Sequence, residues 1–437
     1  METFVGVYAG QEGAVSEFGA DESFDIESIE SKLAELSRPF RKIFYPIGGC
    51  YDFYPIKCGS HLEDILNLIF RKRREDVLFG AAKPFSLIDP AEFIQKMRLI
   101  KEPTEIALMQ EAINISMQGH VRTMQAQAAE KKNEMTLSAQ FMMEGMRHNT
   151  QEVAYPNIVG AGKHSCTLHY QKNNAAIIDG DIVLMDAGVE FQNYASDITR
   201  SFPINGKFTP AQRDIYDVVL HAQEVCIAAA KPGVTLRDIH KLSVREVTQG
   251  LVNLGILNGE LDTLITDGAD SAYYMHFVGH WLGLDVHDTT MISPMTPFQP
   301  GMVFTIEPGI YIASPVNVDP KWHNIGVRIE DDILITEAGC TVLSEALPKK
   351  ADEIERIMTG WVPDGIAKLG FQRHGFFGQG PVKATDCSQG LANVTTPGGD
   401  IDARRTVRFE CILNENGFVQ NAPNMAVPCY GARNQGL

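Results

Sequence analysis

From residue 102 onward apolar side chains recur every three or four positions, the spacing of one buried helix face. In "EPTEIALMQEAINISMQGHVRTMQAQAA" that face is Ile106, Met109, Ile113 and Met117, and Pro103 suits the first turn. "TLSAQFMMEGMRH" predicts a second helix with Thr136 as its N-cap, and "TPAQRDIYDVVLHAQEVCIAAA" a third, opened by Thr209 and Pro210. In a fourth, "TLRDIHKLSVREVTQGLVNLG", Thr235 and Asp238 have the spacing of a capping box. Between the helices the period changes. Ile182 to Met185 form an unbroken apolar run fit for a buried strand, yet the run ends on a carboxylate, Asp186. An unpaired buried charge is strongly unfavourable, so something must compensate Asp186.

The same pattern returns further along. Gly180-DIVLM-Asp186-Ala-Gly188 matches Gly301-MVFTI-Glu307-Pro-Gly309 position by position. Each stretch is followed by a second carboxylate on a strand-like segment, Asp197 in "YASDITRSF" and Glu330 in "GVRIEDDILIT". Each is also preceded by a helix pair, which reads as an internal duplication of helix, helix and hairpin. Asp186 and Asp197 stand an odd number of residues apart, which lets them face each other across an antiparallel pair. Four converging carboxylates repel one another, and divalent cations are the economical remedy. A mostly oxygen donor set favours Mn²⁺, with Zn²⁺ or Co²⁺ as alternatives. Bridging carboxylates would hold two such ions about 3.5–4 Å apart, as in metal-assisted hydrolases.

The ends of the chain are less regular. Residues 1–88 alternate short apolar runs with a helical stretch, "HLEDILNLIFRKRR", as in part of a small α/β domain. Beyond residue 358 turn clusters such as "TTPGGD" predict loops, with a hairpin around "TVRFECILNENGFV". The formal charge of −17 argues against a nucleic-acid partner. No long apolar run or N-terminal signal pattern is present, and the eight cysteines are scattered without a CxxC pair. These features predict a cytoplasmic protein with reduced thiols and no membrane span.

A lone histidine in an apolar segment is usually a core residue. "YMHFVGHWLGLDVHD" instead carries His276, His280 and His287 within twelve residues, flanked by Gly279 and Gly283. One imidazole can complete a metal site, and the others can donate to charge developing on a substrate carbonyl. His169, in "CTLHY", could reach the same cleft.

At this point the motifs meet a family. "DAG…SDITR", "HWLGLDVHD", "TIEPGIY" and "GVRIEDDILIT" occur in the order and spacing of the pita-bread metallopeptidases, and resemble most the bacterial-type aminopeptidase P group. The resemblance runs from about Phe93 to Met358. It implies an α+β fold with pseudo-twofold duplicated halves and a dinuclear centre held by Asp186, Asp197, His280, Glu307 and Glu330. Asp197 and Glu330 would bridge both ions, Asp186 would chelate one, and His280 and Glu307 would complete the other. It further implies that His169, His276 and His287 shape the substrate site. Tyr155 in "AYPNIVG" and Arg328 would support the ligands from behind. The implied reaction is hydrolysis of the bond before a proline at the second position of a peptide, with Glu307 shuttling the proton.

Three other readings compete. A prolidase would take only Xaa-Pro dipeptides, and a creatinase-like relative would use the fold without metal. A catalytically inactive scaffold is the third. The expected division is a partial N-terminal domain (1–88), a catalytic domain (89–358) and a tail (359–437). Phe4 stands where the family carries tryptophan, in a domain expected to be partial beside the family's, and a homo-oligomer (dimer or tetramer) is expected from the resemblance.

Overall fold

A computed structural model describes residues 9–44, 60–80, 85–126, 133–150 and 152–371. Phe4 and the hairpin expected near "TVRFECILNENGFV" lie outside the described residues. Helices α1 (Gly10–Ser16) and α2 (Ile29–Ser37) precede strand β1 (Lys42–Phe44). Helix α3 (Ser60–Leu78) then leads to β2 (Ser86–Ile88), which pairs parallel with β1. Parallel neighbours need a crossover connection, and α3 supplies it. This βαβ unit is the local form of the α/β pattern in the opening segment.

After α4 (Ala91–Leu99) come α5 (Pro103–Gln125) and α6 (Glu134–Arg147). Proline sits in the first turn of α5, and Glu102 and Glu105 close a capping box there. Helix α6 starts three residues earlier than its sequence suggested. Its cap is Asn133, whose side chain accepts from Met135 N–H, while Thr136 lies at the third position and accepts from Asn133 N–H. Both residues cap well, and the upstream one wins because the pair forms a reciprocal box. Helix α7 (Pro210–Ala229) opens at Thr209 as expected, where a capping box with Gln212 also forms, and the box of α8 (Leu236–Asn253) at Thr235 and Asp238 is as expected.

The duplicated motif forms two long ribbons. In the first, β4 (Ile182–Asp186) pairs with β7 (Thr199–Pro203), and β3 (Ile158–Ala161) lies on its other edge. The register set by Ile182↔Pro203 continues into β5 (Glu190–Phe191) and β6 (Tyr194–Ala195) without a slip. Gln192 and Asn193 close the tip with φ of 48° and 68°, the left-handed geometry that suits strand twist. In the second ribbon, β8 (Val303–Ile306) and β9 (Gly309–Ile312) run against β10 (Ile325–Arg328) and β11 (Asp331–Ile335). One register again spans the whole, from Val303↔Leu334 to Ile312↔Ile325. The glycines that open the motifs, Gly180 and Gly301, have φ of 89° and 88°. The repeat thus extends to a backbone conformation that side-chain-bearing residues avoid.

Both ladders break where the acids lie. Glu307 and Glu330 meet in the continued register of the second ribbon. The first ribbon differs from expectation: Asp186 pairs with Thr199, and Asp197 stands two residues before Thr199, outside the strand. The parity that puts both acids on one face holds, but they are diagonal rather than opposite. Around the ribbons a single apolar core joins Met109, Ile113 and Phe141 of the first helix pair to Ile215 and Tyr216 of the second. That core continues past Met358, the expected boundary, to the fully buried Ile366 in α11 (Asp364–Lys368), after α9 (Leu261–Thr266) and α10 (Ala351–Met358). Among the described residues no helix is long and apolar enough to cross a membrane.

Candidate metal centre

The ribbons meet where the acids lie, and polar contacts join them there. Glu330 N–H donates to Thr199 O at 3.1 Å, and Asp197 N–H donates to Asp332 Oδ2 at 3.2 Å. Ser201 Oγ–H donates to Arg328 O and accepts from Arg328 N–H. Asp186, Asp197 and Glu330 are thereby buried together, at 8%, 5% and 1% exposure. Buried Arg200 locks the join from behind, donating to Glu330 O at 2.6 Å and Asp331 Oδ1 at 2.7 Å.

The histidine segment lies against β8 on the side away from β11. Thr305 N–H donates to His280 O, and Glu307 N–H donates to Val278 O. This approach needs Gly279, because a Cβ there would lie 1.9 Å from Thr305 O. His280 Nε2 then comes within 3.3 Å of Asp197 Oδ2 and 3.6 Å of Glu307 Oε1. Asp197, His280 and Glu330 each offer a donor atom, all within 4.8 Å of one another.

Several contacts call for positive charge at this point. His280 Nδ1–H donates to Trp281 O at 3.1 Å, so the neutral ring turns its Nε2 lone pair toward two carboxylates. That arrangement is repulsive unless a proton or cation lies between them. Tyr155 has one hydroxyl proton, yet its oxygen sits 2.5 Å from Asp186 Oδ1 and 2.6 Å from Asp197 Oδ1. Asp332 is fully buried and its Oδ1 has no partner. Burial and mutual repulsion push the Asp197, Glu330 and Asp332 carboxyls upward, and Glu307 to about 7. His280 moves up to about 9, because Asp197 and Glu307 outweigh the burial that opposes its charge. A divalent cation would answer the same demand for positive charge. An oxygen-rich set with one imidazole suits divalent ions, so the residues fit the metals that the motifs imply.

Arg328 donates to Asp186 Oδ2 at 2.6 Å, to Tyr311 Oη at 2.8 Å and to Thr199 Oγ1 at 3.2 Å. The histidines divide. His276 is engaged by the protein at both nitrogens: Nδ1–H donates to Phe277 O, and Nε2 accepts from Tyr311 O–H, each at 2.8 Å. In that tautomer no N–H is left for a substrate carbonyl, contrary to the donor role expected of it. Burial drops His276 to about 3, and His287 likewise. The His287 ring lies 4.2 Å from that of His280. His169 is exposed and close enough to contribute to lowering both.

Thr199, Tyr311 and Asp332 were not anticipated. Each had a signal: Thr199 and Asp332 lie two residues from Asp197 and Glu330, and Tyr311 lies four from Glu307. Even spacing along a strand puts side chains on one face.

Joined acidic ribbons, one imidazole and helix-helix-ribbon halves define a pita-bread metallohydrolase. The chain belongs to metallopeptidase family M24, whose family model matches residues 107–337. It is 38% identical to the Xaa-Pro aminopeptidase of Escherichia coli (strain K12), over 82% of this chain and 79% of that one. The solved structure of proline aminopeptidase P II from Yersinia pestis matches with a TM-score of 0.77 at 37% identity, covering 82% of this chain and 81% of that one. Zinc-substituted aminopeptidase P from E. coli in complex with product gives 0.76, also at 37% identity, over 82% and 80%. The protein is therefore a hydrolase of peptides that uses divalent metal ions.

Proposed function

We propose that this chain is a dinuclear Xaa-Pro aminopeptidase, with Asp186, Asp197, His280, Glu307 and Glu330 as ligands. The observation that carries the reading is the meeting of these five side chains from two ribbons and one loop. Mn²⁺ is the proposed occupant, since four of the five ligands are carboxylates. When bound, the ions polarise the scissile carbonyl and acidify water. The chain's own residues do the rest. Glu307, at the mouth of the buried cluster, takes the proton from the attacking water and delivers it to the leaving proline nitrogen. Arg328 holds Asp186 and the Tyr311 hydroxyl in place, and Tyr311 in turn holds His276. His287, whose ring lies 4.2 Å from that of His280, and His169 are assigned to the substrate side of the site. Proline removes an N–H and fixes φ, so a dedicated pocket is physically reasonable.

The same reading includes a cytoplasmic location and a homo-oligomer, either dimer or tetramer. Supporting the latter, Phe18, Leu78 and Phe79 in the N-terminal part and Met97 on α4 are more than two-thirds exposed. The three-part division near residues 88 and 358 is part of the proposal, with the second boundary moved past Ile366. The test is hydrolysis of Xaa-Pro-Xaa tripeptides against Xaa-Pro dipeptides by manganese-loaded protein. Cleavage of tripeptides supports the reading, and activity confined to dipeptides would replace it with a prolidase.

A further inference from the structure

Residues 282–288 have no helix or strand of their own, yet they carry His287 to the edge of the cluster. Their anchor lies on α4, ahead of the family-matched region. Asp288 is buried and accepts from Lys101 Nζ at 3.1 Å, both side chains being 1% exposed. It also accepts from the Arg98 guanidinium, which donates to Asp285 Oδ2 at 2.6 Å as well. Gln95 Oε1 accepts from Met291 N–H at 2.7 Å. Gln95, Arg98 and Lys101 follow one another at steps of three, so one edge of α4 and its exit grips the loop along its length. Gly283 lets the grip close, since a Cβ there would lie 2.4 Å from Asp288 Oδ2. On the opposite side Ala195 N–H, at the tip of the first ribbon, donates to Gly283 O at 2.9 Å.

Buried ion pairs contribute little stability compared with apolar packing, but they fix geometry. We infer that Asp288, clamped by Lys101 and Arg98, is a positioning residue that sets the adjacent His287 against the metal ligands. This rests on the peptidase reading of the site. Arg98 joins Asp285 to Asp288, so the turn between them cannot widen without breaking a charged contact.

The test is a double-mutant cycle on manganese-loaded enzyme. Arg98→Met leaves Asp288 paired with Lys101 and so leaves the fold intact. It is expected to lower kcat on a Xaa-Pro tripeptide about ten-fold with KM little changed, and Arg98→Lys to recover most of the loss. In a His287→Ala background the same change should cost no more than about two-fold, because the two act as a unit. A second readout is the ¹³C-labelled His287 imidazole resonance of metal-free protein, which should shift in Arg98→Met. Wild-type kcat in Arg98→Met, losses that multiply in the His287→Ala background, or an unmoved resonance overturns the inference. If the wild type cleaves no Xaa-Pro peptide, the peptidase reading fails, and the resonance alone decides the clamp.

Discussion

The Thr199 hydroxyl donates to Glu330 Oε2 at 2.6 Å, joining the first ribbon to a proposed ligand on the second. Thr199→Val keeps the shape and removes the donor, leaving a buried carboxylate oxygen short of a partner. Loss of such a supporting contact lowers metal affinity or activity by roughly 10–100-fold. Manganese titration of the variant checks this, and wild-type affinity would show that the contact is incidental.

Glu307→Gln preserves size and removes the proton carrier. The fold should persist, since the Glu307 side chain is the most exposed of the four carboxylate ligands at 17%. Turnover should fall by roughly 10³-fold, within the range for general acid–base groups. Comparable rates in wild type and variant would falsify the assignment.

Asp331 tests the join without touching a ligand. Arg200 and Lys349 each donate to it at 2.7 Å and, against burial, hold its carboxyl down at about 2. Asp331→Asn leaves Arg200 buried beside a neutral group, at a cost of roughly 3–5 kcal/mol. Chemical denaturation should reveal this as a lower midpoint. An unchanged midpoint would mean that the carbonyls around Arg200 suffice.

His120 sets a limit at acid pH. Its Nε2–H donates to Ala187 O at 3.1 Å, and burial, helped by Arg200, pulls the ring down to about 4 from 6.5. Below pH 6.5 the unfolded chain takes up a proton that the native ring refuses. The contribution is therefore complete above pH 6.5 and falls away between 6.5 and 4, amounting to on the order of 3 kcal/mol. Histidine-selective NMR should find this ring neutral down to about pH 4. Titration near 6.5 would contradict the burial argument.

Local signals were legible because they act over a few residues. The helix start at Thr209, the capping box at Thr235 and the matching glycines of the repeat, Gly180 and Gly301, follow from short-range sterics and hydrogen bonding. Asn133 displaced Thr136 as a cap because two good candidates stood within one turn, and reciprocity between them decided the matter. The odd spacing of Asp186 and Asp197 gave their shared face correctly. It could not give the two-residue offset, which depends on where the turn at Gln192 and Asn193 sets the register.

The sequence by itself determined the duplicated motif, the donor types and hence the metal chemistry, since these depend on residue identity and short periods. Only the tertiary structure decided how the ribbons meet, that Tyr311 engages His276, and that Arg98 and Lys101 reach Asp288 from nearly two hundred residues away. Those contacts depend on the relative placement of whole elements. Packing of a shared core sets that placement, and no local pattern encodes it.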